Sequence, residues 1–269
     1  MPVKLGDAFV RIFADDRDLD KGLAGARQKT QSASQVMQGV FQGVGQAIFN
    51  TVKSGISAAV DEIGKAVQKS SDLSETVNKV GVLFGQNAKA VLDFADTADT
   101  ALGQSKQSAL DAAATFATFG RAAGLSGESL VKFSTDFVGL ASDLASFNNT
   151  SPEEAITAIG AALRGESEPL RRYGVLLDDA TLRQKALQLG IVATTDQALT
   201  PQQRVLAAQV AIYEQTAAAQ GDFARTSTGL ANAQRILAAE IENGSAKLGD
   251  AFSPAVEPIT TILVGLAPP

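Results

Sequence analysis

Apolar residues along this chain recur at three- and four-residue spacing between short polar breaks, which is the signature of amphipathic helices. The pattern predicts helices over 72–84, 86–102, 105–119, 127–147, 152–164, 179–189, 201–219, 228–249 and 254–266. A longer helical stretch precedes them, from about 31 to 70. Only residues 8–14, AFVRIFA, are dense in apolar β-formers without Pro or Gly, so at most one short strand is expected. The fold class that follows is all-α: a multi-helix array, extended to loosely globular.

The 31–70 stretch carries a regular feature of its own. Val40, Val44, Ile48, Val52, Ile56 and Val60 recur every four residues, each preceded by a small residue at Gly39, Gly43, Ala47, Thr51, Gly55 or Ala59. A four-residue step overshoots the helical turn by about 40°, so the stripe winds around the helix and is not a heptad seam. Small residues admit another backbone at close range, and Lys53 is the one charge between Gly39 and Val60. Two readings stay open: a helix-packing or oligomer ribbon (Gly39, Val40, Gly43, Val44, Ala47, Ile48, Val52, Ile56, Val60), or a membrane-active segment. Gln38, Gln42, Gln46, Asn50 and Ser54 follow the same four-residue step and disfavour a stable bilayer span.

Capping chemistry sets the later boundaries. Ser151-Pro152-Glu153-Glu154 places a cap, a first-turn proline and carboxylates that complement the helix dipole. Thr200-Pro201-Gln202-Gln203 fits a capping box, and Ser253-Pro254 reads as the start of the last helix, which Pro258 should delay or kink. Gly165, Gly190 and Gly221 stand where a left-handed residue ends a helix. The stretch GESEPLRRYGVLLDDATLRQKAL, from Gly165 to Leu187, is then a helix–corner–helix module. Pro169 restarts a short turn through Leu170, Arg171, Arg172 and Tyr173, and Gly174 ends it. Val175, Leu176 and Leu177 are expected to enter the core and Asp178 or Asp179 to cap the next helix, while Glu166 and Glu168 lie near enough to Arg171 and Arg172 in sequence for solvent-exposed ion pairs to form.

Composition removes most chemistry. The chain has no Cys and no His, so thiolate chemistry, disulfides, Ser-His-Asp sites and HExxH metal sites are excluded within it. Asp16, Asp18, Asp20 and Gly22 suggest a calcium loop, but Lys21 and Arg27 stand where that loop needs Gly and Glu. The adjacent acids Glu153/Glu154 and Asp178/Asp179 read as helix-start residues, since an acid/base pair spans a cleft of about 5–9 Å. A net charge of −6, with 23 Lys and Arg and no basic run, argues against sequence-specific nucleic-acid binding. No enzyme activity and no cofactor are expected.

Two segments carry a family resemblance. DLASFNNTSPEEAITAIGAALRGESEPLRRYGVLLDDATL, from Asp143 to Leu182, resembles the shared region of tail tape measure proteins of long-tailed phages and prophages. AAAQGDFARTSTGLANAQRILAAEIENGSAKLGDAFSPAVEPI, from Ala217 to Ile259, resembles it too, in the family's order and spacing. AFVRIFADDRDLDKGLAGARQKT is similar to the family's usual start. The resemblance implies a virion structural protein in the lumen of the tail tube, present in the host cytoplasm during assembly. It implies a role in setting tail length, nucleating tube polymerisation and leaving ahead of the DNA at ejection. Implied partners are the tail tube protein, tail assembly chaperones, tail tip or baseplate proteins and further copies of the chain, with transient membrane contact on ejection. The corner Gly165, Glu168, Pro169, Leu170, Arg171, Arg172, Tyr173 and Gly174 is then a family-specific packing or partner surface.

Family members are usually much longer, so 1–269 is expected to be the N-terminal part of a longer protein or a reduced relative. The division expected is a strand and helix start (1–30), the ribbon helix (31–70), the tape-measure region (71–252) and the start of a hydrophobic segment (253–269). The rival reading is a membrane-perturbing or pore-forming helical protein, on the strength of the ribbon and the apolar end at 262–267. A generic coiled-coil scaffold is disfavoured, because heptads with apolar a and d and charged e and g positions are not sustained.

Overall fold

The computed structural model describes the backbone of residues 45–265 and the side chains of residues 62–252. Among the described residues there are ten α-helices and two 3-10 turns, and no strand. They are α1 (Gly45–Phe84), a 3-10 turn (Gly85–Asn87), α2 (Ala88–Ala95), α3 (Ala98–Leu102), α4 (Lys106–Ala122) and α5 (Gly127–Asn148). Then come α6 (Pro152–Arg164), a second 3-10 turn (Glu168–Tyr173), α7 (Asp179–Gln188), α8 (Pro201–Gln215), α9 (Asp222–Thr226) and α10 (Leu230–Gly265). The all-α class is thus observed. The strand expected at 8–14, the Asp16–Asp20 run and Gly39, Val40, Gly43 and Val44 lie outside the described residues.

The chain packs as two units, Met1–Glu62 and Ile63–Pro269. In the first, the described part is helical backbone from Gly45 onward. Ala47, Ile48, Val52, Ile56 and Val60 fall on that helix, and their side chains lie outside the described residues.

The second unit is built on α4, α5 and α6, which pack side by side. Helix α4 is rich in alanine because its neighbours come close. Ala109, Ala113, Ala114 and Ala117 are fully buried, and a Cβ at Gly120 would stand 2.7 Å from Leu130 Cδ1 and 3.0 Å from the Phe133 ring. The bulk that small residues leave out is supplied by α5. Phe137 is fully buried, with ring centroids 5.2 Å from Phe116, 4.9 Å from Phe133 and 5.5 Å from Tyr213 of α8. The Tyr213 hydroxyl is buried without a hydrogen-bond partner, and burial pushes its titration far above the ordinary phenol value.

Several predicted boundaries move for identifiable reasons. The helices expected at 31–70 and 72–84 join in α1, because Ser70 bonds sideways to Asp250 and leaves the helical ladder intact. The 86–102 helix breaks at Asp96-Thr97, where the Thr97 hydroxyl bonds back to the Phe94 carbonyl and α3 turns away to bury Ala98. The 201–219 helix stops at Gln215, where the Thr216 hydroxyl takes the Ile212 carbonyl at 2.7 Å. Ser253-Pro254 does not start a helix: α10 runs from Leu230 through both Pro254 and Pro258. Gly221 is left-handed, φ 74°, but it opens α9 and does not close α8.

Where α1 and α10 cross, side chains are small on both sides. Ala66, Ser70 and Ala246 are buried, and a Cβ on Gly249 would stand 1.9 Å from the Ala66 carbonyl oxygen. Backbone cannot yield as a side chain does, so Gly249→Val has to separate the helices. Its expected cost is about 1–3 kcal/mol, the range of overpacking. Hydrogen exchange should speed up at amides 63–72 and 243–250 and stay unchanged across α5; slow exchange at both would exclude the close crossing.

Candidate functional site

The two segments that carry the family resemblance meet at the C-terminal end of α5. That helix ends at Asn149, which adopts φ 52° and is the one non-glycine with positive φ among the described residues. Asn tolerates this left-handed conformation through its short polar side chain. Thr150 follows, and Ser151 caps α6 by accepting from the Glu154 N–H at 3.2 Å, with Pro152 in the first turn.

Asp143 projects from α5 into the start of α9. It accepts the Gly221 N–H at 2.7 Å and the Phe223 N–H at 3.1 Å. Helix α9 has no side-chain cap of its own, so a carboxylate from another element supplies one. Burial pushes the Asp143 carboxyl above its ordinary value of 3.8, against the opposing pull of the two N–H groups and of Arg225. Phe223 is buried and covers Gly103, where a Cβ would meet the ring at 2.8 Å.

One turn further along α5, Ser146 donates to Asp222 Oδ2 at 2.6 Å and lies 3.0 Å from the Thr226 hydroxyl. The buried Asn232 amide donates to Ser146 Oγ and Thr226 Oγ1, both at 2.9 Å. Asn232 in turn accepts from Arg235, whose second amino group donates to the Thr150 carbonyl at 2.8 Å. Every member has a partner, which is the condition for a polar cluster to fix one packing arrangement.

The corner from Gly165 to Gly174 docks on Thr150 from the other side. Leu170 and Tyr173 are buried, and the Tyr173 hydroxyl pairs with Thr150 Oγ1 at 3.1 Å. Arg172 reaches Glu154 at 2.6 Å and lies 5.3 Å from the centre of the Tyr173 ring. Arg171 pairs with Glu168 at 3.0 Å, whereas Glu166 pairs with Arg164 and not with Arg171 or Arg172. Pro169 and Arg172 line a shallow depression with Glu153 and Glu154. Gly165 and Gly174 both have positive φ, 102° and 78°, where a side chain would be strained.

One expectation for the corner is corrected. Val175 and Leu177 are buried, but Leu176 is 60% exposed, because the segment is extended and successive side chains alternate. The Leu176 backbone is instead held by the Gln215 amide, which accepts its N–H at 2.8 Å and donates to its carbonyl at 3.0 Å. Asp178 caps α7 through the Thr181 N–H at 2.7 Å, and that bond holds its carboxyl below the ordinary range.

The adjacent acids have structural partners. Glu154 pairs with Arg172, Asp179 with Arg183 and Arg204, and Asp178 with the α7 backbone. Among the described residues no group of three or more acids could hold a metal ion, and no helix is long and apolar enough to cross a membrane. An open groove of about 590 Å³ runs beside Arg235, Gln104, Asp111 and Glu242. Comparison with protein-family models, curated proteins and solved structures finds no match to this chain.

The cluster of Asp143, Ser146, Thr150, Asn232 and Arg235 was not evident from sequence. One signal was present. Asp143 lies five residues, about a turn and a half, from the C-terminus of α5, between Ser142 and Leu144, where a carboxylate opposes the helix dipole unless something external holds it.

Proposed function

We propose that this chain is a phage or prophage tail tape measure protein, or the N-terminal part of one. In this reading it acts structurally: it sets tail length, nucleates the tail tube and leaves the tail at ejection. What supports the reading is that segments 143–182 and 217–259, which resemble the family separately, are bound to each other through Asp143, Ser146 and Thr150. Sequence that looks purposeless along the chain acquires a shared use in one folded region. That region is the part of the chain suited to meet the tail tube protein, an assembly chaperone or the tail tip.

The test is tail length. Deleting the whole gene from the parent phage is expected to leave heads without tails, and normal tails in its absence would overturn the proposal. An in-frame deletion of residues 36–60 spares the second unit. It removes 25 residues, about 38 Å of helix at 1.5 Å per residue. Tails shortened by about that length in negative-stain micrographs would place the segment in the ruler. Unchanged length would assign it to docking.

A further inference from the structure

Helix α10 has a face of small and polar residues that the fold buries and an apolar face that it leaves in solvent. Asn232, Ala239 and Ala246, seven residues apart, are buried against the body of the protein. On the opposite side Leu230, Leu237, Ile241 and Leu248 are 76%, 57%, 61% and 58% exposed. Their steps of seven, four and seven residues, with Gly244 between Ile241 and Leu248, follow the 3–4 alternation of a coiled-coil seam. Isolated exposed aliphatic side chains are ordinary on a protein surface, but three leucines and an isoleucine in one seam on one helix are not.

We propose that two copies of this chain pair antiparallel along this outer seam of α10. Shape favours the orientation. Antiparallel pairing sets Leu237 against the partner's Leu248, and Ile241 against the partner's Gly244, so the missing side chain receives the branched one. Parallel pairing would stack Gly244 on Gly244 and leave a gap. Charge favours it as well. Glu240 and Lys247 flank the seam on the same side, are exposed, and have no ion-pair partner within the described residues. In the antiparallel register each Glu240 lies beside the partner's Lys247, giving two interchain pairs. In a parallel pair Glu240 would face Ser245, and Lys247 would face Phe252. Gln234, the polar member of the seam, falls opposite Ala251 and so disfavours slippage.

The seam is short. Stable interfaces bury at least roughly 1,000 Å², and seven seam positions per copy, of which Gly244 and Ala251 are small and Gln234 is polar, place this one at the weak end, with dissociation in the micromolar range. The inference stands apart from the tail reading, since it rests on α10 alone.

The experiment is sedimentation equilibrium of the full chain from about 1 to 300 µM, where a monomer–dimer transition is expected. Ile241→Asp, at an exposed position, should leave the thermal melt unchanged and abolish the dimer. Glu240→Lys should weaken dimerisation about tenfold, a change of about 1.4 kcal/mol, and Glu240→Lys with Lys247→Glu should restore it. Because the chain has no cysteine, E240C/K247C should give a covalent dimer on oxidation, while either single variant should not. A chain monomeric throughout that range would overturn the proposal. So would a dimer that survives Ile241→Asp, or crosslinking by the single variants.

Discussion

Phe137→Ala should cost about 3–5 kcal/mol, the usual range for removing a fully buried aromatic ring, and lower the melting temperature by on the order of 10 °C. Phe137 lies at the junction of three packed rings from α4, α5 and α8, all within 5.5 Å. The alanines of α4 have no reach to fill the space, so the cavity persists. The ring also fixes the rotation of α5, and with it the direction in which Asp143 and Ser146 project. A urea titration followed by far-UV circular dichroism would measure the loss. An unfolding free energy within about 1 kcal/mol of that of the native protein would mean that the ring cluster is not the centre of the core.

Asp143→Ala is expected to cost about 2–4 kcal/mol, because two backbone N–H groups lose a charged acceptor in a half-buried site. Its damage should be local. Exchange at Gly221 and Phe223 should rise by orders of magnitude while α4 amides are unaffected. The pH dependence has a definite sign. Burial holds the folded carboxyl above 3.8, so the native state binds its proton more tightly than the unfolded chain does. The contribution of Asp143 is therefore greatest below the unfolded value and declines as pH rises from about 3.8 through the higher native value. Asp143→Asn cannot titrate, so its stability curve should lack that decline. Equal slopes for the two proteins between about pH 4 and 6 would show that the carboxyl is not desolvated.

The two predictions also mark how far the chain could be read in one dimension. Ser151 and Thr200 were legible as caps, and Asp178 as one of two candidates with Asp179, because a cap bonds an N–H three residues on, within the reach of a sequence pattern. Gly165 and Gly174 were legible because only a residue without a Cβ takes their backbone angles easily. Asp143, by contrast, caps a helix that begins 79 positions later, and nothing local announces it. Leu176 was misassigned because an apolar run of three in an extended segment must send its middle member outward.

The outer seam of α10 shows the same limit. Its residues are visible in the sequence, but they alternate around the helix with those of the buried face, and the two sets merge into one broad apolar signal. Only packing separates them, by covering Ala239 and Ala246 and leaving Leu237 and Ile241 in solvent. The sequence by itself determined the all-α class, the main helices and the caps, because helix periodicity and capping act within a few residues. The tertiary structure decided which faces are buried, where α1 and α10 run on without a break, and how segments 143–182 and 217–259 meet. Those outcomes depend on contacts between residues far apart in the chain, whose partners are chosen by the shape of the whole core.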